Sequence, residues 1–494
     1  MKNRDTSDTM NKPVYHAPEG GHYGYVMIND VWMGINERGL AVMNTLVGAL
    51  GFGGGGMDNG ALNRWILEHC ETVSQVCFEL NNTGGEIGPG KRWGGTCVGV
   101  IDRFGYGAFI EISGVGAYAR FIINDYDSEA NHPRNYPGYA SGPSGRDQYA
   151  LDAMNAIKAQ KGVISWEDVA QNVSRYVRNK EQGSLSFSID GEISNAGTQA
   201  AMVAVSGDQR YDGKLNCMWG EYGNPPLVGL FVPSMTYAGE PPSILNSFWN
   251  QVWQKRSIAQ DLSGYYVPAR VREIQSYTFF AEDYAFWKYD ELVSAIPEGL
   301  SNLQLKTRLQ EYVNFSVQFA TQIYIAEPHV SQHIITHGGD EYGITTVSDS
   351  MIYGFQASIG SNVEINFNIT APPGTSGSCY TKIPQTLWAG SFIITVGSDE
   401  YTVDNPSPYG NSFLLNFTYG QASQVTIAGS GSFPSWDINQ DGRVDMRDVS
   451  LVARAFGTTP GFPYWNQQAD LNNDAVVDMR DIALVARHYG DGFT

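Results

Sequence analysis

The sequence predicts an α+β chain built in three successive parts. A mixed domain spans 1–325, an all-β domain spans 329–431, and a small helical module spans 436–492. Three observations carry this reading. Residues 1–325 interleave period-two apolar runs, the mark of strands, with runs at helical spacing. From 329 the charge thins out and short alternating segments are separated by turn signals. Near the C-terminus one segment is present twice, at an interval of 33 positions (Asp437 to Asp470). A chain of 494 residues has room for several domains.

In the first part VWMGINERGLAVMN (31–44), TCVGVIDRFGYGAFIEI (96–112), QAAMVAVSG (199–207) and KLNCMWG (214–220) are expected as strands. ALNRWILEHC (61–70) and the stretch opened by Thr72 are expected as helices, with Thr72 as N-cap. Ser165 and Asp168 have the spacing of a capping box that opens the helix DVAQNVSRYV. A long helical stretch over about 242–325 follows, and its aromatic residues are expected to pack. In the second part VEINFNIT, SFIITVG, SFLLNFTYG and SQVTIAG predict a small β-sandwich, with PPGTSG, NPSPYG and GSD as turns. GSGSFPS (429–435) is expected to be a linker.

Composition narrows the partners. A net charge of −20 argues against nucleic acid and anionic membrane surfaces. No apolar run reaches the length of a spanning helix. Cysteines 70, 77, 97, 217 and 379 show neither disulfide nor metal spacing, so free buried thiols are expected. The eight histidines show no H-E-x-x-H motif or paired spacing, which argues against a catalytic zinc. G-F-G-G-G-G (51–56) lacks the Lys-Ser/Thr of a phosphate loop, and no serine sits in G-x-S-x-G.

The duplicated segments read D-I-N-Q-D-G-R-V-D-M-R-D (437–448) and D-L-N-N-D-A-V-V-D-M-R-D (470–481). Oxygen side chains fall at positions 1, 3, 5, 9 and 12 of each loop, the spacing a calcium ion requires. The first set is Asp437, Asn439, Asp441, Asp445 and Asp448, with Arg443 giving its carbonyl. The second is Asp470, Asn472, Asp474, Asp478 and Asp481, with Val476 giving its carbonyl. Two Ca2+ sites are therefore expected. Ala475 replaces the glycine at position 6, where a positive φ is needed, so the second site is expected to be weaker. The pair resembles the dockerin module. That resemblance implies a cohesin-like partner and a secreted or cell-surface setting, although no signal peptide is visible in this chain.

The first part carries four marks in order: K-N-R-D (2–5), G-I-N-E-R-G-L-A-V-M-N (34–44), A-N-H-P (130–133) and Y-A-S-G-P-S-G-R (139–146). With N-A-G-T-Q (195–199) and M-W-G-E-Y-G-N-P-P (218–226), they resemble the N-terminal-nucleophile (Ntn) hydrolases of the choloylglycine hydrolase, penicillin acylase and acyl-CoA:isopenicillin N acyltransferase group. The resemblance implies an αββα sandwich with an appended helical region. It also implies attack by an N-terminal cysteine on a small acyl-amide, with no organic cofactor. Asp5 then orients amine and nucleophile, Asn44 and Asn131 bind the oxyanion, and Arg146 holds the polar network. Lys2 stands where many relatives carry arginine.

In that group the nucleophile precedes the K-N-R-D mark, whereas here Met1 immediately precedes it and the first cysteine is Cys70. The expectation is a chain start assigned too late, and hence a secreted, dockerin-tethered amide hydrolase or acyltransferase whose cysteine lies upstream. The rival is a non-catalytic scaffold or binding protein that docks to a cohesin. A polysaccharide-degrading glycosidase would need two flanking carboxylates, for which the sequence offers no motif.

Overall fold

The computed structural model describes residues 1–5, 10–51, 55–123, 126–139, 141–143, 145–175, 198–206, 208–223, 227–261, 266–337, 340–359, 363–372, 374–387, 391–403, 406–429, 436–439, 444–462, 464–472 and 474–490. For 2–5, 337, 340, 359, 386, 407 and 408 it describes the backbone alone. The chain divides into two compact units, Met1–Ile325 and Ala326–Thr494.

In the first unit β1 (Lys2–Asp5) is followed by β2 (Pro13–His16), β3 (Tyr25–Ile28), β4 (Met33–Asn36) and β5 (Ala41–Leu46). Helices α1 (Asn59–His69) and α2 (Val73–Asn81) intervene before β6 (Thr96–Ile101), β7 (Gly107–Ile112) and β8 (Ala117–Phe121). Strands β2 to β8 form one antiparallel sheet in sequence order. The two helices cover one face of it, α1 over β4 and β5 and α2 over β7 and β8. Their starts are written locally. Asp58 accepts the Ala61 N–H at 2.8 Å, and Thr72 with Gln75 forms a reciprocal capping box. Leu62, Ile66, Val73, Val76 and Leu80 then pack on Val42, Val98, Val100 and Ile110.

Helix α3 (Arg146–Lys161) ends at Gly162, whose φ of 80° closes the helix left-handedly. The Ser165–Asp168 capping box opens α4 (Trp166–Asp168), which runs into a five-residue π turn, Val169–Val173. β9 (Thr198–Val205), β10 (Cys217–Tyr222) and β11 (Phe231–Ser234) complete a second antiparallel sheet in the order β1-β9-β10-β11. This sheet approaches β4 through β9 and β10. The expected strand over 214–220 begins only at Cys217, because Arg210–Gly213 form a 3-10 turn.

The long helical stretch resolves into α5 (Trp249–Ala259), α6 (Pro268–Ala295) and α7 (Asn302–Ala326). Its aromatic residues pack, as expected. Phe286 of α6 meets Trp219 of β10 edge-on at 4.6 Å, and Trp166 stacks on Trp219 at 5.2 Å. Two buried tyrosine hydroxyls find backbone acceptors, Tyr289 on Leu215 at 3.0 Å and Tyr312 on Ala285 at 3.1 Å.

The second unit opens with β12 (His329–His337), β13 (Asp340–Ser348), β14 (Ile352–Ile359), β15 (Val363–Ile369) and β16 (Gly377–Pro384). It continues with β17 (Phe392–Val396), β18 (Asp399–Val403), β19 (Ser407–Tyr409), β20 (Ser412–Tyr419) and β21 (Ser423–Gly429). They form two antiparallel sheets, β12-β13-β16-β20-β19 and β14-β15-β21-β17-β18, which share one apolar core. β15 shows why: Val363, Ile365, Phe367 and Ile369 alternate inward. Then come α8 (Met446–Ala455) and α9 (Met479–Arg487), with their own core of Ile438, Val444, Val452, Ala455, Ala469, Val477 and Val485. The duplication is visible in reciprocal backbone bonds. Gly490 donates to Val444 at 2.9 Å, and Gly457 donates to Val477 at 2.8 Å.

Candidate active site and metal loops

The G-I-N-E-R-G-L motif builds a corner. Asn36 at the end of β4 accepts the backbone N–H groups of Arg38 and Leu40, and its amide donates to the carbonyls of Leu67 and Cys70, both at 2.8 Å. One side chain thereby shapes the β4–β5 turn and fastens it to the end of α1. Gly39 takes φ 80°, and a Cβ there would lie 1.9 Å from the Asn216 amide nitrogen, so only glycine fits.

The corner delivers β5, where two of the expected residues meet. Asn131 donates to Thr45 Oγ1 at 3.0 Å and to the Leu46 carbonyl at 2.8 Å, which pins its loop to the end of β5. Its Oδ1 accepts from an Arg146 Nη2. Arg146 opens α3, where a cation opposes the helix dipole. The Asn131 contact, rather than helix energetics, accounts for that placement.

Asn44 is buried one position before Thr45 and faces the other way. Its Oδ1 accepts from Asn63 Nδ2 of α1 at 3.1 Å, and Asn63 also reaches the carbonyls of Val31 and Trp32. Among the described residues the Asn44 Nδ2 donates to no partner. The backbone of Asp5 ends β1 beside Thr198, and its side chain lies outside the description. The structure thus joins Asn131 and Arg146 at the end of β5, and turns Asn44, the residue before their Thr45 contact, toward α1.

Sequence reasoning missed the groups that hold this loop. Glu111 of β7, fully buried, accepts the backbone N–H groups of Arg134, Asn135 and Tyr136 at 2.5–2.8 Å. Asp147, with no side-chain exposure, stands 3.4 Å from His132 Nε2. Burial lifts the Glu129 carboxyl to about 7, and Arg120, which bonds it, pulls it back. The one available signal was a glutamate within the apolar strand GAFIEI. A cleft of about 750 Å3 opens alongside, lined among others by Arg120, Tyr126, Arg134, Leu151 and Lys158.

All five cysteines are free. Burial pushes the thiols of Cys70 and Cys379 up to about 12, raises that of Cys77, and raises those of Cys97 and Cys217 further. Cys97 pairs with Thr45 across β5 and β6, yet it is enclosed with Val47 and Leu50. None of these thiols is poised as a thiolate.

The metal loops are organised by buried carboxylates. Asp481 accepts the N–H groups of Leu471, Asn472 and Asp478 at 2.8–3.2 Å. Asp448 does the same for Ile438, Asn439 and Asp445 at 2.8–3.1 Å. Asp470 accepts from Asp474 and Ala475. Asp445 and Asp478 cap α8 and α9. Ala475 takes φ 65°, the left-handed conformation that the position demands. Asp441 and Arg443 lie outside the described residues. Grouped oxygens on a turn closed by a buried carboxylate fit a hard divalent cation.

Residues 2–159 match the family described as acyl-coenzyme A:6-aminopenicillanic acid acyl-transferase, and residues 435–489 match the dockerin type I domain. The chain is thus similar to an Ntn-type acyltransferase family at its N-terminus and to a dockerin at its C-terminus. No curated protein matches it. Dockerin type I domains bind calcium and cohesins, and proteins that carry them are typically extracellular or at the cell surface. Among the described residues no helix is long and apolar enough to cross a membrane. The acyltransferase-family match covers Asn44, Asn131 and Arg146, and the dockerin match covers both loops.

Proposed function

We propose that the chain is a secreted or cell-surface Ntn amide hydrolase or acyltransferase, tethered through its dockerin to a cohesin. In this reading 1–325 is an αββα sandwich with a helical extension, 329–431 is a β-sandwich spacer, and 436–492 holds two calcium ions. The order of contacts, from α1 and α2 through the two sheets to α6 on β11, supports the layered reading. The observation that carries the activity is the Arg146–Asn131 pair fixed on the end of β5.

The chemistry needs a thiol that can ionise, and burial denies that to the five cysteines present. A cysteine preceding Lys2 in the mature protein is therefore the proposed nucleophile. Its sulfur attacks the acyl carbonyl, and its own α-amine takes the thiol proton and hands it to the leaving amine as the C–N bond breaks. Water or a second amine then takes the acyl group from the thioester. Asn131 has committed its amide protons to Thr45 and Leu46, so it positions Arg146 and the strand end. Asn44 is the oxyanion donor of this reading, its Nδ2 being without a partner among the described residues, which requires the reacting carbonyl to reach the α1 side of β5. Asp5 orients the α-amine, and the cleft beside Arg134 receives the acyl group.

The test is the mature form with its N-terminal cysteine, assayed on acyl-amides and lactams. Asn44→Ala should lower kcat by about 10²–10³ with little change in KM, as loss of one oxyanion donor does. Replacement of the N-terminal cysteine by alanine should abolish turnover. A mature form without activity on the whole panel would favour the scaffold reading.

A further inference from the structure

We propose that His22, Glu68 and His69 form a binding site for a divalent transition-metal ion of the zinc class, separate from the calcium loops. Among the described residues this is the one group of three such side chains whose ligating atoms all lie within 4.8 Å of one another. His22 follows Gly20 and Gly21, whose φ values of 63° and 87° turn the chain between β2 and β3. Glu68 and His69 are the last residues of α1. The Tyr23 N–H donates to the Glu68 carbonyl at 3.0 Å, so the two segments are fastened together beneath the ligands.

The supporting contacts are those a metal site uses. His69 Nδ1 lies 2.8 Å from the Trp65 carbonyl, so that nitrogen carries the proton and Nε2 keeps its lone pair for a metal. The His69 ring is held by stacking on Trp65 at 4.3 Å, and His22 meets it edge-on at 4.4 Å. The Tyr25 hydroxyl donates to Glu68 Oε1 at 3.3 Å, while Oε2 stands 3.8 Å from His22 Nδ1. One carboxylate oxygen is thus steadied by the protein and the other faces the imidazoles.

Donor chemistry selects the ion. Two imidazoles and a carboxylate suit zinc and its late first-row neighbours, whereas calcium prefers oxygen alone. Ligands around a tetrahedral zinc stand roughly 3.3 Å apart, so the half-exposed side chains need move only slightly to close on it. The carbonyl end of α1 also favours a cation there. The fourth position is left to water or a ligand, and a cleft of about 430 Å3 lined by Trp65, His69, Cys70 and Gln75 opens beside it. The two histidines lie on separate elements, His22 on the β2–β3 turn and His69 at the end of α1, which is why histidine spacing in the sequence gave no sign of the site.

The experiment is a Zn2+ titration of the full chain with its loops saturated by Ca2+, repeated with Co2+ as a spectroscopic probe. The expected result is one zinc equivalent bound and a visible cobalt band of four-coordinate intensity. His22→Ala and His69→Ala should each weaken zinc at least tenfold and remove the band. Tyr25→Phe should weaken it by about 10–100-fold, the usual cost of losing a group that orients a ligand. His22 lies on an exposed turn, so His22→Ala keeps the fold, which circular dichroism checks. Failure of the wild type to bind zinc above the His22→Ala, His69→Ala double variant overturns the assignment. Zinc binding that survives both changes also overturns it, since the ion then sits elsewhere.

Discussion

Glu282 in the first unit and Asp448 and Asp481 in the second are buried carboxylates whose charge is met in opposite ways. In the first unit Glu282 of α6 is fully buried and receives Arg175 through both guanidinium nitrogens, at 3.0 and 2.5 Å, together with the Phe231 N–H. Arg175 itself lies between the rings of Phe231 and Phe279 and donates to the Gly229 carbonyl. The counter-charge is part of the protein. In the second unit Asp448 and Asp481 are equally buried, and they are met by backbone amides whose dipoles only partly compensate. Their full counter-charge has to come from solution. The difference teaches that the charge of Glu282 is balanced within the first unit, while the module with the two loops couples its folding to an ion.

The largest test of that contrast is Arg175→Met. It leaves Glu282 buried without its counter-charge, which should cost about 3–5 kcal/mol of stability in the first unit. The double change Arg175→Met with Glu282→Leu should recover most of the loss, because a well-packed apolar pair replaces a desolvated ionic one. Urea unfolding of the full chain, with calcium present and absent, measures both. The transition of the first unit should move in the single variant at either calcium level. No movement would mean that the pair is not the internal counter-charge.

Glu221 of β10 sharpens the contrast. It is fully buried, neither carboxyl oxygen has a hydrogen-bond partner among the described residues, and burial lifts it from 4.5 to about 8, Arg175 opposing and Glu282 adding to the rise. It is therefore carried as the neutral acid. The folded state holds this proton more tightly than the unfolded chain. Stability should fall as pH rises from about 4.5 to 8, with a slope approaching 1.4 kcal/mol per pH unit. Glu221→Gln should flatten that slope and leave the variant the more stable form at pH 8. An unchanged pH profile in the variant would show that another group carries the effect.

How much of this was legible in the sequence follows from locality. The calcium loops were readable because twelve contiguous residues place their oxygens by chain geometry alone. The caps at Thr72 and Ser165 were readable for the same reason. Within the all-β region the strands that alternate strongly, β15, β17, β20 and β21, were visible. β12, β13, β14, β16, β18 and β19 were not: four of them are edges, which bury less and tolerate the polar run of HVSQHIITH, while β13 and β16 lie inside their sheet but are rich in polar residues. In the first unit the motifs pointed to Asn131 and Arg146, and Glu111 left a trace as a glutamate in an apolar strand, yet nothing local marked Asp147 or the Arg175–Glu282 pair, whose members lie 107 positions apart. Those partners exist only once the sheets are stacked. Asn44 shows the same limit. Its place in β5 was readable, but which face it takes depends on Asn63 of α1.

The smallest effect lies within the dockerin, and it tests whether ion dependence is set by backbone strain as well as charge. Ala475 takes φ 65° with its N–H on Asp470, so the loop adopts the turn that glycine would adopt freely. A Cβ in that conformation costs about 1–2 kcal/mol, which weakens binding by roughly tenfold to thirtyfold if the strain is relieved when the ion leaves. Arg480 adds to this by reaching Asp474 at 3.0 Å and Asp478 at 2.7 Å, two proposed ligands that an ion must share with it. Calorimetry on the full chain should therefore resolve a tight class for 437–448 and a weaker one for 470–481. Ala475→Gly should tighten only the weaker class. Chelation should lower the stability of the module and leave the transition of the first unit in place. Two equal affinities, both indifferent to Ala475→Gly, would assign the coupling to carboxylate charge alone and leave the strained turn without consequence for binding.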